Sequence, residues 1–188
     1  MVNRVILTAI MFSLIAGQAL AGNYRQARDE PWIMVDTTRQ TLMVMVGDHI
    51  EKKFVDISVG RGGTADLHFR GDGSTPKGSF RIAWVNQRSK FHLFFGLDYP
   101  NIDHAELAYE SAKIDFETFY TISHAVMRGQ TPPQDTPLGG FIGIHGLGHK
   151  DPRMHKMLNW TEGCIALTDE QIDQLAHWID VGTRVVIF

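Results

Sequence analysis

The sequence predicts a single, mostly β domain with peripheral helices. Three stretches carry that expectation. "PWIMVDTTRQTLMVMVGDHIEKKFVDISVG" reads as a β-meander of apolar, β-branched runs broken by turn residues. "FIGIHGLGH" is a short apolar strand studded with glycine. "TDEQ" followed by "GTRVVIF" reads as a capped helix and a closing strand. A chain of 188 residues has room for one sizeable core and not for two.

In order along the chain, Trp32 to Val35 is the first strand and Thr41 to Val46 the second. Gly47-Asp48 turns into a third, Lys53 to Val59, with alternating apolar residues. A long glycine-punctuated loop follows, in which Thr75-Pro76-Lys77-Gly78 has turn chemistry. Phe80 to Val85 and Phe91 to Gly96 are strands. Asp103 to Lys113 is expected to be a helix with Asp103 as its N-cap and Glu106 three residues on, and Phe116 to Arg128 a second helix. Pro132, Pro133 and Pro137 make the next stretch a loop. Phe141 to His145 is a strand. Thr168 caps a helix whose Ile172, Leu175, Ala176 and Ile179 share one face, Gly182 closes it, and Arg184 to Phe188 ends the chain as a strand.

Residues 1–21 differ from the rest. One charge, Arg4, precedes an apolar run from Val5 to Ile15, and Ala19-Leu20-Ala21 has the small-x-small pattern of a signal-peptidase site. The run is shorter than the roughly 20 residues a membrane-spanning helix needs. Residues 1–21 are therefore expected to be a cleaved signal peptide and 22–188 the mature domain, exported to the periplasm or cell envelope without stable membrane insertion. An uncleaved anchor is the alternative. The net charge of −3 and the dispersed charges argue against a nucleic-acid partner held by a basic field.

Export changes the meaning of the single cysteine. Cys164 has no intramolecular partner, so it is a buried inert residue, an intermolecular link, or a reactive thiol. It follows Gly163 in "TEGCIAL", and His145 stands between glycines 143 and 146 upstream. An imidazole near a thiol can take its proton and hold the thiolate. A Gly-Cys step lets successive N–H groups aim at one oxyanion. Together these suit acyl transfer through a thioester. Zinc ligation by His145, His149, His155 and Cys164 is the rival, although their spacing matches no strong zinc signature.

"IHG" at 144–146 and "TEGCIAL" at 161–167 resemble the signature of the L,D-transpeptidase catalytic domain, the YkuD type. "VDTTRQTLMVM", "DGSTPKGSF" and "GTRVVIF" match in order, over most of residues 31 to 188, and "SKFHLFFGLDYPN" with "GCIA" is similar to the YafK-like murein branch. The resemblance implies a β-sandwich-like fold and attack by Cys164 on a peptidoglycan stem-peptide amide. His145 would be the base, the Gly146 carbonyl would orient it, and the Gly163 and Cys164 N–H groups would bind the oxyanion. Thr161, Glu162 and Ala166 would lie at the substrate, with Thr161 also stabilising the loop. No cofactor or metal is implied. Two departures stand out. Many members carry arginine where Ala166 stands; alanine can neither anchor a carboxylate nor brace the loop as an arginine could, so water is expected to compete with an amine as acceptor. Glu162 would raise the thiol pKa if close, so it is expected to face solvent. Alternatives are a peptidoglycan L,D-hydrolase releasing a D-amino acid or a wall-attached protein, and a non-catalytic murein-binding module.

Overall fold

The computed structural model describes residues 30–188. The signal-peptide expectation falls on residues outside that range. The mostly β expectation holds: ten strands and four helices are described.

β1 (Pro31–Asp36), β2 (Thr41–Val46) and β3 (His49–Val55) form the meander. β4 (Thr64–Ala65) and β5 (Thr75–Pro76) make a small parallel pair inside the long loop. β6 (Gly78–Ser89) and β7 (His92–Leu97) form a hairpin. α1 (Ile102–Glu110) and α2 (Phe116–Met127) follow. β8 (Gly143–His145), α3 (Pro152–Met157), β9 (Ile165–Ala166), α4 (Asp169–Leu175) and β10 (Arg184–Ile187) complete the chain.

The large sheet runs β3-β2-β1-β10-β6-β7-β8-β9. β6 joins its halves, because Gly78 to Arg81 pair with β10 and Ile82 to Ser89 pair with β7. The two edges then meet: Ser58, just past β3, bridges Ala166 in β9 with hydrogen bonds of 2.9 and 2.8 Å. The sheet therefore folds over its own core, which is the sandwich-like arrangement. Ile33, Leu42, Val44, Phe80, Ile144 and Ile165 lie within it. β2 is buried on both faces, which is why its sequence is an unbroken apolar run and does not alternate.

Several boundaries differ from expectation for local reasons. β3 begins at His49, directly after the Gly47-Asp48 turn, because pairing with β2 recruits His49 to Lys52. It ends at Val55 because Asp56 takes a left-handed φ of 57°. Thr75-Pro76 is a strand and not a turn, since Thr75 donates to the Gly63 carbonyl. α1 is capped by Asn101, whose side chain accepts from the His104 N–H, and not by Asp103. The Thr168–Gln171 capping box forms in both directions, at 3.2 and 3.0 Å. α4 nevertheless stops at Leu175, and Gly182 (φ 95°) serves the turn into β10. The sequence reading missed α3, although Asp151-Pro152 is a helix start with proline in the first turn.

Candidate active site

His145 ends β8 and Cys164 immediately precedes β9. The two strands are parallel neighbours, with Ile144 opposite Ile165 and His145 opposite Ala166. Leu167 N–H donates to the His145 carbonyl at 2.9 Å and locks this register. The pairing brings two residues distant in sequence onto one cavity of about 630 Å³. Phe91 and Trp160 also line it, as do Lys90 and Lys150.

The imidazole is fixed on several sides. Nδ1 lies 2.7 Å from the Gly146 carbonyl oxygen. A carbonyl only accepts, so Nδ1 carries the proton and Nε2 of the neutral ring is left as the acceptor. The ring stacks on Phe91 with centroids 4.3 Å apart and meets Trp160 edge-on at 5.8 Å. Phe94 lies parallel at 6.0 Å. This burial pushes the imidazole pKa down to about 4, against the Gly146 hydrogen bond, which acts upward. Behind the ring, the Asp169 carboxylate accepts from the Leu147 and Gly148 N–H groups at 2.7 and 3.0 Å. A Cβ at Gly146 would stand 2.5 Å from that carboxylate, so glycine is needed for the close approach.

The cysteine loop is held from within. Thr161 Oγ1 donates to the Cys164 carbonyl at 2.6 Å and accepts from the Gly163 N–H at 3.2 Å. Gly163 has a φ of +125°, and a Cβ there would stand 2.6 Å from the Ser74 carbonyl oxygen. That carbonyl is itself held by His68 Nδ1 at 2.7 Å, so the loop rests on the buried His68 side chain. Cys164 Sγ–H points to the Phe141 carbonyl at 3.4 Å. Enclosure of the sulfur pushes the thiol up to about 11, opposed by the Gly143 N–H. The residue as a whole keeps a partial opening onto the cavity.

These facts correct three expectations. Burial disfavours the charge on the thiol and on the imidazole alike, which works against a resting thiolate held by His145. The Gly163 N–H is occupied by Thr161, which leaves the Cys164 N–H as the donor of that pair able to meet an oxyanion. Ala166 has no exposed surface and sits between β8 and Ser58, so it is not a substrate contact. Glu162 is on the cavity rim with its side chain 66% exposed and paired with Arg61 at 2.9 Å. Thr161 borders the cavity but is 3% exposed, which makes it a brace for the loop. For the zinc rival, His145 Nδ1 is taken by Gly146 and His155 Nδ1 accepts from the Trp160 indole N–H at 3.3 Å. Among the described residues no group of three His, Cys, Asp or Glu is placed to hold a metal.

Lys90, Phe91, Lys150, Trp160 and Asp169 were not singled out by the sequence reading. Phe91 lies within the quoted "SKFHLFFGLDYPN" and Trp160 directly precedes "TEGCIAL", but nothing in one sequence says that two aromatics so far apart meet over one imidazole.

Comparisons with known proteins place the fold and the family. Bd1075 from Bdellovibrio bacteriovorus shares the fold at 19% identity and a TM-score of 0.53, covering 87% of this chain and 49% of that one. The helical cell shape determining protein Pgp2 from Campylobacter jejuni does so at 21% identity and 0.55, covering 85% and 48%. The chain thus spans about half the length of these two proteins. No curated protein sequence matches it. The model of the YkuD L,D-transpeptidase catalytic domain matches residues 30–187, and the chain belongs to that family.

Proposed function

We propose that the chain is an exported cysteine acyltransferase of the cell envelope, an L,D-transpeptidase acting on peptidoglycan stem peptides. The observation that carries this reading is the pairing of β8 with β9. It opens Cys164 and His145 onto one cavity, with Nε2 of His145 left as the acceptor.

The sulfur attacks the carbonyl carbon of the donor amide, and the thiol proton passes to His145 Nε2 as the S–C bond forms. The Cys164 N–H meets the developing oxyanion. The imidazolium returns its proton to the leaving amine as the C–N bond breaks, leaving a thioester on Cys164. Gly146 keeps the ring in one tautomer through both transfers, and its carbonyl stabilises the transient imidazolium. An amine then attacks the thioester, His145 taking its proton; a new amide forms as the C–S bond breaks, and the imidazolium returns the proton to the Cys164 sulfur.

Water entering by the same path gives hydrolysis. The partial opening of Cys164 onto the cavity admits water as well as an amine. Export rests on residues 1–21, whose Ala19-Leu20-Ala21 site predicts a mature start at Gly22. Among the described residues no helix is long and apolar enough to cross a membrane.

The test is mass spectrometry of purified tetrapeptide muropeptides incubated with mature protein, with and without an added D-amino acid. Dimers or products gaining the amino acid report transfer. Products shortened by one residue report hydrolysis. No product of either kind, or unchanged conversion by Cys164→Ala, defeats the reading.

A further inference from the structure

We propose that Lys90 and Lys150 form a carboxylate clamp at the mouth of the Cys164–His145 cavity, selecting peptides with a free carboxylate near the reacting amide. This deepens the acyl-transfer reading of the cavity and rests on it.

Both lysines line the cavity, and both are held against its aromatic walls. Lys90 Nζ lies 5.0 Å from the Phe91 ring centroid and Lys150 Nζ 5.3 Å from that of Trp160. These cation–π contacts hold each ammonium near its ring and restrict a long, otherwise mobile side chain. The two rings are neighbours, 6.3 Å apart, and both touch the His145 imidazole. The two cations are thereby tied to the walls that surround the reacting groups. The field of Lys90 reaches His145, where it is one of the influences opposing protonation.

The charges around the cavity are unbalanced. Glu162 is the carboxylate among the lining residues, and Arg61 already engages it at 2.9 Å. Among the described residues, neither Lys90 nor Lys150 belongs to an ion pair. His149 on the same rim adds a donor and no negative charge at neutral pH. A substrate carboxylate would supply the missing partner. Residue 166, where an arginine would otherwise be expected to take that role, has no surface in the cavity.

A stem peptide offers two sources of this chemistry, the C-terminal carboxylate of its last D-residue and its side-chain carboxylates. The Cys164→Ala protein is titrated by calorimetry with a stem tetrapeptide and with two derivatives, one amidated at the C-terminus and one at the side-chain carboxylates. Amidating the recognised carboxylate should weaken binding roughly tenfold, as expected for two exposed ion pairs. Added salt should erase much of that difference. In the Lys90→Gln, Lys150→Gln protein the acid and amide forms should bind alike. Equal binding of all three peptides, absence of binding, or a preference that survives the double substitution overturns the clamp. If the preference is present but wild-type protein forms no thioester, the acyl-transfer reading fails and the clamp stands. If turnover is intact without any carboxylate preference, the reverse holds.

Discussion

Alkylation of Cys164 in the free protein should be slow at neutral pH and should climb steeply toward alkaline pH. The thiol is raised from 9.0 to about 11 by enclosure. At any pH below nine this leaves roughly a hundredfold less thiolate than an open cysteine has. The more basic thiolate is intrinsically more nucleophilic, which returns about six- to tenfold. The net expectation is alkylation about tenfold slower than that of a free thiol near neutrality, rising tenfold per pH unit until about 11. His145, lowered to about 4, does not alter this at rest. Moving the proton from sulfur to imidazole across that gap is uphill by about 10 kcal/mol before the attraction between the two ions is counted. His145→Ala should therefore change the resting rate little while abolishing turnover. The assay is timed iodoacetamide labelling read by intact mass, which is unambiguous because the chain has one cysteine. A fast plateau at neutral pH, with a break below 7 and collapse in His145→Ala, would mean a resting thiolate–imidazolium pair and would refute the reasoning.

Four further outcomes follow from the same geometry. Cys164→Ala should end muropeptide conversion and move the thermal midpoint little, because the sulfur has only weak contacts to lose, with the Phe141 carbonyl at 3.4 Å and the Gly143 N–H. Thr161→Val should cost about 1–3 kcal/mol in denaturant unfolding and lower kcat, since it strands the Gly163 N–H and the Cys164 carbonyl; Thr161→Ser should restore most of both. Stability should fall as pH drops from about 6.5 toward 4, because the unfolded chain binds a proton that folded His145 refuses. The contribution is about 3 kcal/mol, and the acid limb of the stability–pH curve should flatten in His145→Gln. N-terminal sequencing of envelope-fraction protein should begin at or near Gly22, whereas Met1 there would favour an uncleaved anchor.

What was legible in the sequence was local. The Thr168–Gln171 box, the Gly47-Asp48 turn and the apolar run of β2 each report through neighbours in the chain, and each is found in place. The Gly146 carbonyl lies one residue from His145, so its contact with the imidazole is also a local matter. What was not legible depends on pairing between distant segments. β3 extends back to His49 because β2 has partners to offer, and Asp56 ends it by a backbone turn that its side chain does not announce. The aromatic box around His145 draws on β7 and its turn on one side and on Trp160 on the other. From the sequence, Gly146 reads as the residue whose carbonyl orients the imidazole, and Gly163 as freeing backbone donors beside Cys164. Their stronger constraint is contact with Asp169 and with Ser74, residues that only the fold brings near.

Position 166 shows how the same limitation reached the chemistry. From the sequence, an alanine two residues after the nucleophile reads as a lost anchor, and restoring arginine would be expected to move the balance from water toward an amine. In the fold, Ala166 is hydrogen-bonded through its backbone to Ser58 on one side and faces His145 across β8 on the other, with no exposed surface. Ala166→Arg would place an unpaired cation in the seam that closes the sheet and sets the Cys164–His145 register. The expected result is a loss of more than about 3 kcal/mol of stability, without a change in product ratio in the protein that remains folded. A soluble, stable Ala166→Arg protein with more transfer and less hydrolysis would show that the strand can turn this residue outward. Control over which acceptor reaches the thioester would otherwise belong to the walls of the cavity, where Phe91, Trp160 and their two lysines set the space and charge beside Cys164.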